Sequence, residues 1–141
     1  MRASATVFVR QGSVYVVSSS QTVDGFWVDK PPFFKCETFD AAETARMVKQ
    51  ALNQSRTGVP NPDRHAPPKI VEFAGVKTYT AFLRGTLGAA VDRSDEGVIK
   101  ITPMKNEGGR RGFTFFPDRA VVVSDNIGLA EAITTALNAA E

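Results

Sequence analysis

Few side chains in this sequence could take part in bond-making chemistry, and they are scattered along the chain. His65 is the single histidine and Cys36 the single cysteine among 141 residues. A Ser-His-Asp or Cys-His arrangement would have to use His65, which stands in a proline-rich stretch beside Asp63 and Arg64. Cys36 follows two phenylalanines, a context typical of a buried, inert thiol. The sequence therefore predicts no catalytic residue, and an enzyme that uses His65 is the least favoured functional class.

Metal and cofactor sites are not predicted either. One histidine, one cysteine and acids that never cluster cannot supply the usual zinc or calcium ligand sets. Residues 106–112 contain glycines and two arginines, which could bring backbone amides and guanidinium groups to a phosphate or to RNA. The stretch matches neither a P-loop nor a dinucleotide fingerprint, so we expect no cofactor. A mobile loop that contacts a protein partner is the alternative interpretation.

A binding role singles out a different set of residues. Tryptophan and arginine dominate the energetics of many protein interfaces. Trp27 lies between a glycine turn and a pair of prolines, where it serves either as a binding aromatic or as part of the core. The predicted partner-binding residues combine this aromatic with cations and one amide: Trp27, Arg84, Lys105, Asn106, Arg110 and Arg111.

Composition bounds the class of protein. Hydrophobic residues make up 43% and charged residues 23%, which are ordinary values for a globular chain. The length predicts a single domain over residues 1–141. The N-terminus lacks the apolar core of a signal peptide, and the apolar runs are too short to span a membrane. We therefore expect a cytoplasmic protein with no membrane partner.

The first third of the chain carries strand signals. Residues 5–9 and 13–17 are rich in β-branched and aromatic side chains, and Gly12 between them predicts a hairpin turn. A third strand is expected at 26–28. Pro31-Pro32 follows it and predicts an edge strand or a bulge, because proline cannot donate to a ladder.

Helix signals follow the strands. Asp40 and Glu43 have the spacing of a capping box, and small apolar residues recur behind them at helical spacing. This helix should end between Ser55 and Gly58. The four prolines of residues 57–68 predict a loop, and residues 69–74 predict a short helical turn that Pro68 starts and Gly75 ends.

The middle of the chain is harder to assign. Residues 77–86 fit either a strand or one face of a helix. Residues 87–92 and 98–102 predict two strands joined by a hairpin loop, with Pro103 closing the second strand. Residues 105–112 predict a flexible polar loop.

The chain ends with two short strands and a helix. Residues 113–115 and 120–123 predict the strands, split at Pro117. A cap at 124–126 should start a final helix that buries Leu129, Ile133, Ala136, Leu137 and Ala140.

The order of these elements predicts an α+β fold. Strands joined by short turns imply a mostly antiparallel sheet, here of about six to eight strands. The two main helices, which carry stripes of small residues, should pack on one face of that sheet.

Several segments of the chain, taken in order, resemble those of a known protein family. The segments are 5–10, 25–28, the capped helix at 40–54, 59–62, 75–82, 101–106, 109–113 and the terminal helix. Together they cover nearly the whole chain and resemble the immunity proteins of bacterial contact-dependent growth inhibition systems.

The resemblance implies a non-enzymatic cytoplasmic protein whose partner is a cognate toxin domain. Such proteins bind and block the C-terminal toxin domain of a large exoprotein, and many of these toxins are nucleases. Inhibitors of nucleases are often acidic, whereas this chain has a net charge of +2. Either the acids are grouped locally, the toxin is not an ordinary basic nuclease, or inhibition occurs away from the active site. The alternative function is a small nucleic-acid-binding module, although charge this weak makes nucleic acid an unfavoured partner.

Overall fold

The computed structural model describes residues 2–62, 68–109, 111–124 and 128–141. Its first element is the predicted hairpin, formed by strands β1 (Ala3–Arg10) and β2 (Ser13–Gln21). The connecting residues have positive φ angles of 52° at Gln11 and 81° at Gly12. Two consecutive positive angles match the right-handed twist of paired strands, which is why this connection closes a tight hairpin.

Five more strands extend the hairpin on both sides. Their bounds are β3 Trp27–Cys36, β4 Thr86–Arg93, β5 Val98–Gly108, β6 Gly112–Phe115 and β7 Val121–Ser124. In the described residues they form a seven-stranded sheet in the order β3-β2-β1-β4-β5-β6, with β7 also paired to β5. Every strand pair is antiparallel. β3 is an edge strand whose register shifts opposite the Pro31-Pro32 pair, as the prolines predicted.

Four helices accompany the sheet in the described parts of the chain. They are α1 Ala41–Gln54, α2 Lys69–Ala74, α3 Tyr79–Leu83 and α4 Leu129–Ala139. The long helices α1 and α4 pack on one face, which confirms the predicted α+β architecture. The ambiguous segment 77–86 contains α3, whose cap is Thr78: its hydroxyl accepts a hydrogen bond from the Ala81 amide at 3.1 Å.

Two predictions about the second half were wrong. Pro103 does not close β5. Pro103 is the last residue of β5 that pairs with β4. The strand continues beyond it, and from Met104 onward it pairs with β6 on its other edge. Five of the eight residues of the predicted 105–112 loop, namely 105–108 and Gly112, are therefore strand. The side-chain cap predicted for the last helix is also wrong among the described residues, because Gly128 occupies that position and Ser124 belongs to β7. Residues 125–127 lie outside the described residues.

The core has two parts, one on each face of the sheet. Beneath α1 and α4, small and β-branched side chains such as Ala5, Val7 and Val16 are fully buried. The opposite face carries an aromatic cluster in which the rings of Phe8 and Phe82 meet edge to face at 5.2 Å. Both faces of the central strands β1 and β2 are thus buried near their middles.

Polar contacts cap helix α1 at its start and join it to the sheet at its end. Asp40 Oδ1 accepts a hydrogen bond from the Glu43 amide at 2.9 Å, which is the predicted cap. The Glu43 carboxylate pairs with Arg46 instead of reaching back to the cap. At the other end the buried hydroxyl of Ser55 donates to the Ser19 carbonyl and accepts from the Ser4 amide at 3.2 Å. One side chain therefore joins α1 to both β1 and β2.

Ser55→Ala should lower the free energy of unfolding by about 1–3 kcal/mol, because a buried amide and a buried carbonyl would each lose a partner. Urea denaturation followed by circular dichroism measures the change. Ser124→Ala, at an exposed position at the end of β7, is the matched control and should stay within about 0.5 kcal/mol of the parent. Equal stability of the two variants would contradict the role given to Ser55.

Candidate functional site

Most of the predicted partner-binding residues meet at one end of the sheet. This end is called the hairpin end and comprises the end of β1, the start of β4 and the β5–β6 hairpin. Arg84 is exposed immediately before β4, and Arg111 is exposed in the β5–β6 turn, where its amide bonds to the Gly108 carbonyl. Arg110 lies outside the described residues. Four of the six predicted residues, namely Arg84, Lys105, Asn106 and Arg111, therefore share this end.

The side chains of the neighbouring residues Lys105 and Asn106 lie on opposite faces of the sheet. Successive side chains of a strand point to opposite faces of the sheet. Lys105 lies on the face that carries Glu107, with Nζ 3.8 Å from the Glu107 carboxylate. Asn106 pairs with Phe113 and reaches the opposite side, toward the α3–β4 connection. A partner that approaches one face meets only one of the two side chains.

Asn106 is committed to internal hydrogen bonds. Its Nδ2 donates to the carbonyl oxygens of Leu83 and Thr86, the latter at 2.8 Å, and its Oδ1 accepts from the Gly108 amide at 2.9 Å. The main-chain amide of Asn106 donates a hydrogen bond to the Glu141 carbonyl at 2.7 Å. The side chain thus bridges β4 and β5 beyond the point where their ladder ends. That Asn106 contacts a partner stays a prediction. Its hydrogen bonds stabilise the hairpin end of the sheet.

An open cleft of about 370 Å³ lies in the gap between these strands. Its walls include Arg84 and Gly85 on one side and Glu107 and Glu141 on the other. Arg84 has no ion pair among the described residues, whereas the Glu141 carboxylate accepts from Arg119 at 2.8 Å. The cleft therefore offers both signs of charge and no convergent set of groups that would bind one small ligand.

Arg10 adds a further cation to the hairpin end. It is the last residue of β1 and pairs with Thr86 across the ladder. Its Nε atom is buried and has no hydrogen-bond partner in the described part of the chain. With Arg84 and Arg111, it gives this end an excess of positive charge.

Trp27 lies at the opposite end of the sheet. It is the first residue of β3, is half-buried, and pairs with Gln21 at the end of β2. β2 spans the sheet from Ser13 to Gln21, which corresponds to about 25 Å along a strand. The structure therefore brings four predicted residues together and leaves Trp27 well apart from them.

The turn before Trp27 exposes two large apolar side chains that the sequence reasoning missed. Val23 is 65% exposed and Phe26 is 68% exposed, the highest values among the large hydrophobic residues described. We call this pair the Val23/Phe26 tip. The signal was present in the sequence, since both residues flank Asp24-Gly25, the glycine turn that precedes Trp27. The prediction assigned Phe26 to the third strand at 26–28 and gave Val23 no role.

Asp29, on β3 close to this tip, has a pKa above its ordinary value. Its carboxylate accepts a hydrogen bond from Ser19 Oγ at 3.3 Å. Although the residue as a whole is exposed, the crowding around its carboxylate desolvates the charge and raises the pKa, against the opposing effect of the Ser19 hydrogen bond. Burial, with a smaller contribution from the charge of Asp29, likewise raises the pKa of Tyr79 on α3. The charge of Asp29 thus acts on Tyr79, which lies on the face of the sheet that carries α3.

The groups considered for chemistry do not converge in the described structure. Cys36 is half-buried, and its Sγ lies 3.0 Å from the Thr38 carbonyl oxygen. His65 lies outside the described residues. Within residues 2–62, 68–109, 111–124 and 128–141, no three His, Cys, Asp or Glu side chains are grouped to ligate a metal. No helix in these ranges is long and apolar enough to cross a membrane.

Comparison with known proteins gives no match at the level of sequence families. No protein-family model matches the chain, and no curated protein matches it. Solved structures do match in fold over the full length. One is a chain of a CdiA-CT/CdiI toxin and immunity complex from Yersinia pseudotuberculosis, with a TM-score of 0.76, 16% identity, and coverage of 100% of this chain and 98% of that chain. Another is a protein of unknown function from Neisseria meningitidis, with a TM-score of 0.77, 16% identity, and coverage of 100% of this chain and 96% of that chain.

These matches define the fold class: this chain has the same fold as a chain found in a toxin and immunity complex. The predicted resemblance to immunity proteins of contact-dependent growth inhibition systems therefore has a counterpart among solved structures. At 16% identity the likeness concerns the arrangement of helices and strands and not the identity of surface residues.

Asn106→Ala should destabilise the protein by about 2 kcal/mol or more, because two carbonyl oxygens and one amide lose their partner at once. Thermal and urea unfolding check the change. Asn138→Ala, on the exposed side of α4, is the control and should leave stability unchanged or slightly raised, since alanine favours a helix. A stable Asn106→Ala protein with weaker partner binding would instead make Asn106 a contact residue.

Proposed function

We propose that this chain is an immunity protein that binds and neutralises the C-terminal toxin domain of a contact-dependent growth inhibition exoprotein. The observation that carries the proposal is the full-length fold match to a chain of a CdiA-CT/CdiI toxin and immunity complex. The resemblance of the ordered sequence segments to immunity proteins supports the same class. In this proposal the protein acts in the cytoplasm and performs no catalysis of its own.

Neutralisation would work by occlusion. A binder of this kind needs no catalytic geometry, only a surface complementary to its partner, with a few buried anchors inside a polar rim. The candidate contacts at the hairpin end are Arg84, Lys105, Asn106, Arg110 and Arg111, with Trp27 at the opposite end. Exposed cations at the hairpin end would accelerate association with an acidic region of the toxin domain. We take the toxin to be a nuclease, as many toxins of these systems are.

The second candidate function, a nucleic-acid-binding module, rests on the positive hairpin end. Arg10, Arg84 and Arg111 belong to this end of the sheet, and none of them forms an ion pair among the described residues. Three cations on one small surface would give weak binding to RNA with a steep dependence on salt. A gel-shift titration with tRNA at increasing NaCl tests this alternative, and the absence of a shift at low salt would eliminate it.

The direct test of the main proposal uses the gene immediately upstream, which should encode a large exoprotein. Its purified C-terminal domain should cleave tRNA or DNA, and one equivalent of this protein should abolish that cleavage. Isothermal titration calorimetry should give a one-to-one complex with a Kd in the nanomolar range, on the order of 10⁻⁹ M. Undiminished cleavage in the presence of excess protein would refute the neutralising role.

Arg84→Glu with Arg111→Glu should weaken this complex by about tenfold, chiefly by slowing association, because the double reversal removes attractive charge from the hairpin end. Surface plasmon resonance separates the association rate from the dissociation rate. The control with the same change in net charge is Lys49→Glu with Lys100→Glu, which alters α1 and the far end of β5. If both pairs reduce the rate equally, the effect is one of net charge and the hairpin end is not a contact.

A further inference from the structure

The side chain of Asn106 forms hydrogen bonds with two different connections of the chain. Its amide nitrogen carries two protons, of which one is donated to the Leu83 carbonyl and the other to the Thr86 carbonyl, the latter at 2.8 Å. Its amide oxygen accepts a hydrogen bond from the main-chain amide of Gly108 at 2.9 Å. Both protons and the oxygen of this side chain are therefore used inside the protein.

The first of these connections joins α3 to β4 and carries Arg84. Leu83 is the last residue of α3 and Thr86 is the first residue of β4, and both are buried. Arg84 and Gly85 lie between them and are exposed. Gly85 has a φ angle of 70°, a conformation that other residues rarely adopt. Asn106 thus holds the residue on each side of this exposed pair.

The second connection is the turn between β5 and β6, which carries Arg111. The hydrogen bond from Gly108 to the Asn106 side chain fixes the start of this turn. The main-chain amide of Arg111 in turn donates to the Gly108 carbonyl at 3.1 Å. Asn106 is therefore linked to the main chain of Arg111 through one intervening residue.

The ladder between β4 and β5 does not hold these two connections together. It stops at the pair formed by Ala89 and Pro103, so Asn106 lies beyond it. Next to the end of the ladder, Met104 packs on β4 so closely that a Cβ atom at Gly88 would lie 2.7 Å from the Met104 Cε atom. Beyond that apolar contact, the Asn106 side chain links the two strands. Its removal should loosen the connections while the rest of the sheet stays paired.

Arg84 is a cation of the cleft at this end that remains available to a partner. The two acids that line the cleft already have partners, since Glu107 lies 3.8 Å from Lys105 and Glu141 lies 2.8 Å from Arg119. Arg84 forms no ion pair among the described residues. A guanidinium group carried by a fixed connection loses little further freedom when it pairs with a carboxylate of a partner.

We propose that Asn106 is a positioning residue for toxin binding, which fixes the connections that carry Arg84 and Arg111 and acts on affinity through these two cations. The inference rests on the proposed function. Two cations on separate connections meet an acidic region together only if their spacing is set beforehand, and the hydrogen bonds of Asn106 set it at little cost to binding. Among the candidate contacts at the hairpin end, Asn106 thus acts chiefly through the other two.

The deciding experiment is a mutant cycle measured by calorimetry against the purified toxin domain encoded upstream. Asn106→Ala should raise the Kd about fivefold in the parent protein, but less than about 1.5-fold in a protein that already carries Arg84→Ala and Arg111→Ala. The reason is that a positioning residue has nothing left to position once both cations are gone. The titrations are run at a temperature at which circular dichroism shows every variant to be folded.

Ser55→Ala is the control for stability. It also removes buried hydrogen bonds, but at the end of α1 and away from both connections. We expect it to change the Kd by less than about 1.5-fold in either background. A loss of affinity in Ser55→Ala as large as that in Asn106→Ala would mean that lower stability alone weakens binding, and the positioning role would be refuted.

The remaining outcomes separate the positioning role from the proposed function. An equal loss from Asn106→Ala in both backgrounds would overturn the positioning role, because Asn106 would then contact the toxin itself. If the toxin domain binds the Arg84→Ala, Arg111→Ala protein as tightly as the parent, the immunity role stands and the positioning role is refuted. If the parent protein does not bind the toxin domain, the proposed function fails and the positioning role fails with it.

Hydrogen exchange tests the structural part of the proposal in the free protein. Peptides that contain residues 84–87 should exchange faster in Asn106→Ala than in Ser55→Ala, because only the first change releases their connection. Equal exchange of these peptides in the two variants would contradict a specific hold on Arg84. If Asn106→Ala does not fold, Asn106→Ser takes its place in every experiment, since its shorter hydroxyl can donate to one carbonyl at most.

Discussion

Burial of the central strands on both sides is the constraint on which the rest of the structure depends. α1 and α4 cover one face of β1 and β2, while the aromatic cluster around Phe8 and Phe82 covers much of the other. Side chains in the middle of these strands are committed to packing and cannot also contact a partner. Groups available for recognition are therefore displaced to the ends and edges of the sheet, where turns and connections carry residues that the core does not need.

The two ends of the sheet differ in chemistry as a result. At the hairpin end, Asn106 bridges the gap where β4 and β5 separate, the main chain of Glu141 bonds to β5, and Arg84 faces Glu107 and Glu141 across the cleft that this leaves. At the opposite end, the turn before β3 shows valine, phenylalanine and an aspartate.

The comparison with solved structures fits the behaviour of a scaffold whose function lies on its surface. The fold agrees along the full chain with a TM-score of 0.76 at only 16% identity. A buried core tolerates exchange among apolar residues of similar volume, so the arrangement of strands and helices persists while the sequence changes. Surface turns are freer still, because they contribute little to the core. Turn residues such as Val23 and Phe26 can therefore change without altering the sheet that holds them.

The sequence by itself determined the local elements and the class of fold, because hydrophobic period, turn residues and caps act over a few neighbouring positions. It identified the first hairpin, the Asp40 cap, the short helix between Pro68 and Gly75, and the edge strand at Pro31-Pro32. It failed at Pro103 and along 105–112, where pairing with β6 outweighs the local preference for a loop. Only the tertiary structure decided which predicted contacts share a surface. It separated Trp27 from the arginines and turned Asn106 inward. It also left Val23 and Phe26 uncovered, because exposure depends on which distant segments pack over a residue and no local pattern contains that information.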